Sequence, residues 1–311
     1  MRGRSFEPTP LEFLSRQSFH PWLVVGVTCI GAFIGQVDAS IVQLALPTLQ
    51  QTFKATVNEV RWVAIAYLLA FAACLPVFAR LCEMVGRKLL YLAGFALFGV
   101  ASLMCGLAQD LPTLVAFRTL QGIGGSLLGA NSIAILVKAM PLEKRAHAIG
   151  CLTAAQAIGV SAGPVVGGLL LASLGWQWLF WVTVPFSLAA VVLGWLVLPR
   201  TAELVAETFD WPGAVLLMPS LLLAVLAINQ LSVWPLVSLP MIACVLGAAA
   251  FLIMFGRRER KAAFPLIELG LFAVAASAPA SWASHWAMPC STPCSSCRRM
   301  PCCTAGTTAR A

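Results

Sequence analysis

Long apolar runs separated by short polar breaks dominate the chain. They fall near 22–46, 60–80, 89–108, 112–137, 147–172, 178–198, 213–230 and 235–255, and a ninth begins near Leu266 before dissolving. A bilayer core takes about 20 apolar residues in helical form, so each complete run is long enough to span. None shows the period-two alternation of a transmembrane barrel strand, and a helix pairs every backbone group within its own segment, as lipid demands. The pattern therefore predicts an all-α membrane protein. Pro21 and Trp22 open the first run, Trp62 lies near the start of the second and Pro112 opens the fourth, while Trp176, Trp178 and Trp181 read as an interfacial belt. The first run continues past Asp38 to Pro47 without meeting a small-residue cleavage site, which predicts a retained span and not a signal peptide.

Composition excludes the soluble alternative. Of 311 residues, 60% are hydrophobic and 10% charged, against roughly 45–50% and about 25% in ordinary soluble domains. Too few charges remain to cover a water-facing exterior. The bases sort by side when alternate loops are compared. Arg2, Arg4, Arg16, Arg80, Arg87, Lys88, Lys138, Lys144, Arg145, Arg200, Arg257, Arg258, Arg260 and Lys261 share one side, against Lys54 and Arg61 on the other. Cationic loops resist translocation, so the net charge of +8 concerns topology and not nucleic acid. A multi-pass protein of the cell inner (plasma) membrane with a cytoplasmic N-terminus is expected. The cluster from Arg257 to Lys261 reads as a stop-transfer signal, with lipid or calmodulin-like binding as the alternative.

Two full charges lie well inside the runs, Asp38 in the first and Arg118 in the fourth. Each costs about 2.5–3.5 kcal/mol at a helix centre, so each should face a cavity or a partner and mark a transport pathway, or else sit near a span end and pair structurally. Asp38 has the chemistry of a proton acceptor. Gln36, Gln43, Gln121, Asn131 and Gln156 are either cavity lining or interhelical glue. Gly159, Gly163, Gly167 and Gly168 surround Pro164, a spacing that permits close packing, bending, or both. Gln121-Gly122-Ile123-Gly124-Gly125 is not a nucleotide loop, because it lies within an apolar helix and follows no strand. No nucleophile, base and orienting group recur together, and no metal-ligand spacing occurs, so neither an enzyme nor a cofactor is expected.

Taken in order, these features resemble the major facilitator superfamily, most of all its drug:proton antiporter family with fourteen spans. Val37-Asp38-Ala39-Ser40-Ile41-Val42 is similar to the first-span acidic motif, and Ala79 to Lys88 is similar to the loop signature between spans two and three. Ala79 and Glu83 stand where that signature has glycine and aspartate. Arg118-Thr119-Leu120-Gln121-Gly122-Ile123-Gly124 matches the fourth-span arginine motif, and the fifth-span glycines with Pro164 match the antiporter motif. Trp176 to Phe180 with Pro185 resembles the start of span six, with Gln177 and Thr183 in place of arginine and asparagine, and Phe209 to Gly213 resembles the start of span seven. The resemblance implies a six-helix bundle over 22–198 after a tail of 1–21, linker helices within 199–256, and the start of a second half at 257–272. It further implies alternating access with proton-coupled efflux of lipophilic or cationic compounds. Asp38 and Arg118 would handle coupling, Glu83, Gly86, Arg87 and Lys88 would gate, Gly159, Gly163, Pro164, Gly167 and Gly168 would bend, and Gln36, Gln121, Asn131 and Gln156 would line the cavity. The expected partners are substrate, protons and lipid, with a periplasmic adaptor as a further candidate and no nucleic acid.

After Phe272 the pattern breaks into proline, serine and the cysteines Cys290, Cys294, Cys297, Cys302 and Cys303. A metal site lacks recurrent paired spacing, and a disulfide-bonded tail would face the reducing cytoplasm. A one-base frameshift is the third reading. Joining the third base of each codon to the next two turns Trp282–Ala283 and Trp286–Ala287 into glycine, His285–Trp286 into leucine and Met288–Pro289 into alanine. An apolar helix reappears from about 281 to 297, so residues from about 273 onward are expected to be an out-of-frame tail behind an aborted ninth span. A non-transporting membrane fragment is the alternative to an exporter.

Overall fold

The computed structural model describes residues 17, 19–201, 209–231, 233–235 and 237–260. The expected ninth span and the tail from 273 lie outside these residues, as does most of the tail before 22. The described helices are α1 (His20–Phe53), α2 (Val57–Val85), α3 (Arg87–Gly106), α4 (Leu111–Ala139), α5 (Arg145–Ser173), α6 (Trp178–Trp181), α7 (Thr183–Val197), α8 (Trp211–Gln230) and α9 (Leu239–Glu259). The short α6 and α7 together form the sixth span, and the described residues supply eight helices long and apolar enough to cross a membrane.

Local chemistry sets the boundaries. α1 carries Pro21 in its first turn, runs through Pro47 and is capped by Lys54 in the left-handed region with φ 50°. It outlasts its apolar run because Leu49 is buried and Phe53 meets Trp176 edge-on at 5.5 Å, so packing continues where hydropathy fades. A reciprocal capping box opens α2, in which Glu59 N donates to Thr56 Oγ1 and Thr56 N donates to Glu59 Oε2 at 2.7 Å. Asp110 caps α4 by accepting from Thr113 N at 2.7 Å, and hydrogen bonding to Thr113 holds its carboxyl below the ordinary range. α9 begins four residues later than its hydrophobic run and reaches Glu259, carrying Arg257 and Arg258 in its last turn. Cations there suit the helix dipole and reach polar surroundings along their stems.

Gly86 is both the last cap of α2 and the first of α3, at φ 124° and ψ 129°. A side chain is strained in that region. Gly86→Ala is expected to cost about 1–3 kcal/mol, seen as earlier thermal unfolding in detergent; an unchanged transition would refute the requirement.

Helix α4 lies at the centre, packed most extensively on α2 and α3 and also against α1 and α5. Its glycine cluster allows this. A Cβ at Gly122 would stand 2.5 Å from Tyr67 O on α2, and one at Gly124 would stand 2.8 Å from Phe98 N on α3. The cluster that superficially suggests a nucleotide loop thus faces two helices through bare backbone. α1 packs along α5, while α8 and α9 form a hairpin closed by Arg258 Nη2 donating to Asp210 Oδ1 at 2.7 Å. Among the described residues three apolar clusters fill the bundle, one around Tyr91, Phe95 and Phe98, a second around Ile41, Val63, Leu114 and Phe180, and a smaller third around Val25, Leu136 and Leu152. Outward, α5 exposes Val165 and Leu169, and α9 exposes Leu246 and Leu252. Such broad apolar faces fit lipid or further helices, not water.

Candidate functional site

The two intramembrane charges meet. Asp38 comes from α1 and Arg118 from α4, their side chains are 0% and 1% exposed, and Arg118 Nη1 donates to Asp38 Oδ2 at 2.7 Å. The other carboxylate oxygen accepts from Gln121 Nε2 at 2.9 Å, and Gln121 Oε1 accepts in turn from Arg118 Nη1. Because Gln121 follows Arg118 by three positions, both lie on one face of α4 and clamp the carboxylate together. Arg118 Nε donates to Val63 O of α2 at 3.2 Å. The network extends to α3 through Gln121 Nε2 and Ser102 Oγ at 2.7 Å, and to α7 through Thr183 Oγ1 and Ser102 Oγ at 3.0 Å. Five helices therefore converge on one charge pair. The guanidinium also lies between two rings, with Cζ 4.5 Å from the Tyr67 centroid and 5.7 Å from that of Phe180. A buried pair persists only if its other donors and acceptors are also engaged; here the Gln121 amide and the Val63 carbonyl contact it directly, while Ser102 and Thr183 hold the amide in place.

Tyr67 of α2, the ring over Arg118, also borders a cavity of about 230 Å³, lined further by Gln36 and Ala39 of α1, Gly125 and Ser132 of α4, and Gln156 of α5. Gln36 and Gln156 thus sit on a cavity wall. Gln121 sits inside the charge network, and Asn131 donates to Leu127 O and to Cys82 Sγ, tying α4 to α2 in the manner of an interhelical amide. Tyr67, Ser102, Thr183 and the Val63 carbonyl are members of the site to which the sequence reading assigns no role. Only two tyrosines occur in the whole chain, and one in the middle of an apolar run is the signal that could have drawn attention.

The loop residues form a separate group. Glu83 accepts from Arg80 at 3.1 Å and from Arg87 at 2.9 Å with its side chain 35% exposed, geometry worth about 0–1 kcal/mol per pair. Lys88 is buried, and its Nζ donates to Trp195 O at 2.9 Å and Leu198 O at 2.7 Å, fastening the start of α3 to the end of α7. His20 Nε2 reaches Val197 O at 2.9 Å at the same end. In the fifth span, Gly159, Gly163 and Gly167 are the buried stripe of α5 against α1, whereas a Cβ at Gly168 would find its nearest neighbour 3.9 Å away. Pro164 lies within the same helix, which continues through it from Arg145 to Ser173.

A family model described as the Major Facilitator Superfamily matches residues 28–295. Among curated relatives, the riboflavin transporter RibZ of Clostridioides difficile is 35% identical over 67% of this chain and 46% of its own length. The tetracenomycin C resistance and export protein of Streptomyces glaucescens is 32% identical over 81% of this chain and 47% of its own, and the drug efflux pump JefA of Mycobacterium tuberculosis is 32% identical over 81% and 50%. The chain spans about half the length of the curated relatives it matches. The crystal structure of the human organic anion transporter MFSD10 is similar in fold, with a TM-score of 0.53 and 17% identity over 65% of this chain and 54% of that one. With the helical bundle, the central ion pair and this match in agreement, the chain belongs to the Major Facilitator Superfamily, and its sequence similarity falls on that superfamily's drug:proton antiporter type.

Proposed function

We propose that this chain supplies the six-helix half, over 22–198, and the linker helices of a proton-coupled exporter of lipophilic or cationic small molecules. The observation that carries the reading is a carboxylate with no solvent exposure, held by one amide and by one arginine that lies against Tyr67, a residue that also borders a cavity. Protonating Asp38 removes one charge of the pair and frees the guanidinium, so the energy of the site changes with the proton. A ligand or proton shifts a conformational equilibrium only through such differential interaction. Exposure to opposite sides in turn, as in inverted-repeat carriers with midplane sites, would convert that change into exchange. The bases cluster at the end holding Arg87, Lys88, Lys138 and Arg200, which border one cavity, and the positive-inside rule assigns that end to the cytoplasm of an inner membrane.

A second reading is favoured by the cavity wall and by the riboflavin transporter relative. Tyr67 and Phe71 stack with centroids 6.1 Å apart, and Gln36, Gln156 and Ser132 supply hydrogen-bonding groups, a combination that suits an uncharged planar heterocycle. One titration separates the readings. Adding a lipophilic cation to the detergent-solubilised chain in weak buffer, acidified so that Asp38 carries its proton, is expected to release roughly one proton per cation bound, the linkage expected when cation and proton compete for one carboxylate. Asp38→Asn should abolish the release. Riboflavin binding without proton release would favour the second reading, and cation binding with identical release from Asp38→Asn would overturn the first.

A further inference from the structure

The ring of Tyr67 touches both compartments of the site. One face lies over the Arg118 guanidinium at 4.5 Å, and the same residue borders the cavity shared by Gln36, Ser132 and Gln156. Phe180, the second ring against the guanidinium, belongs to the apolar cluster around Ile41 and Val63. Tyr67 is 5% exposed and is held by Phe71 at 6.1 Å with 24° between the planes. It follows Val63 by one helical turn, and Val63 O accepts from Arg118 Nε. Helix α2 therefore holds the arginine by a carbonyl and roofs it with an aromatic ring on adjacent turns of one face.

We infer that Tyr67 is a positioning residue that forms the partition between the cavity and the Asp38–Arg118 pair. Its ring closes the aqueous route to the carboxylate while its π face keeps the guanidinium on Asp38. Any rotation of α2 that withdraws the Val63 carbonyl also withdraws the ring, so loosening the arginine and opening the carboxylate become a single event. A ligand in the cavity meets the edge of that ring before it meets either charge. The inference rests on the reading of Asp38 as the proton site, but its test does not depend on transport.

The test is carboxyl labelling of the detergent-solubilised chain by a water-soluble carbodiimide with glycine methyl ester, located on Asp38 by peptide mass spectrometry and controlled by Asp38→Asn. Tyr67→Ala is expected to raise the labelling rate of Asp38 by about tenfold or more, as loss of a desolvated cation–π contact and of the covering ring implies. Tyr67→Phe should stay within about twofold of the parent, because it keeps the ring and the quadrupole. Should Tyr67→Ala fail to fold, Tyr67→Leu keeps an apolar contact for packing but loses both the reach of the ring and its aromatic face, and carries the same expectation. Unchanged labelling in a folded Tyr67→Ala or Tyr67→Leu protein would overturn the partition, as would equal opening by Tyr67→Phe. Proton release on cation binding could survive either outcome, and its loss beside ring-dependent labelling would reject the coupling role alone.

Discussion

Arg118→Met is expected to destabilise the chain by about 3–5 kcal/mol, the cost of removing one member of a buried pair and leaving its partner charged. The geometry gives no relief. Asp38 is fully buried, its Oδ1 is already engaged by Gln121, and its Oδ2 would lose Arg118. Replacing both charges should cost far less, because an ion pair exchanged for well-packed neutral groups is often close to neutral in stability. The double variant Asp38→Asn, Arg118→Met should therefore unfold later than Arg118→Met alone. The buried thiols of Cys74, Cys82 and Cys105 report the transition as they become reactive to a fluorogenic maleimide. If Arg118→Met melts with the parent, or if the double variant is the sum of its singles, the pair contributes no mutual stabilisation and the site has been misassigned.

The fold was legible because each span is longer and more apolar than any alternative use of such a segment. The site was legible only in part. Asp38 and Arg118 stood out as charges among apolar residues, but 80 positions separate them, and nothing in a linear sequence says which buried acid meets which buried base. Ser102 reads as an ordinary small residue of an apolar helix, and Thr183 stands out only as a departure from the family's asparagine. Their role arises from the convergence of α3, α4 and α7 on Gln121, which is a tertiary fact. Helix ends failed for a related reason. Hydropathy ends where lipid ends, whereas α1 continues to Phe53 because Trp176 from a distant loop gives its last turn something to pack against. Asn131 was open between lining and glue by composition alone, since an amide serves either use, and its neighbours place it against Cys82 and Leu127.

The fifth-span glycines, equivalent in the sequence, are expected to respond very differently to the same substitution. At Gly163 a Cβ would fall onto the Ser40 side chain and within 3.4 Å of Val37 O, both on α1. The Ser40 hydroxyl can rotate away, but its Cβ, 2.8 Å off, is fixed to the backbone of the helix that also carries Asp38, so it yields only if α1 and α5 separate. Overpacking of this kind costs typically 1–3 kcal/mol and occasionally more, and Gly163→Leu adds three carbons beyond the first clash. Gly168→Leu places its Cβ 3.9 Å from Leu44 Cδ2, an ordinary contact, and replaces glycine by a better helix former, a gain of roughly 0.5–1 kcal/mol. Gly163→Leu should lower the thiol-detected melting transition sharply, and Gly168→Leu should leave it unchanged or raise it. Because α1 carries the carboxylate, the first substitution should also speed carboxyl labelling of Asp38, and the second should not. Equal tolerance at both positions would mean that α1 and α5 are not in backbone contact at Gly163, and the seam would then lose its claim to hold the acidic helix in place.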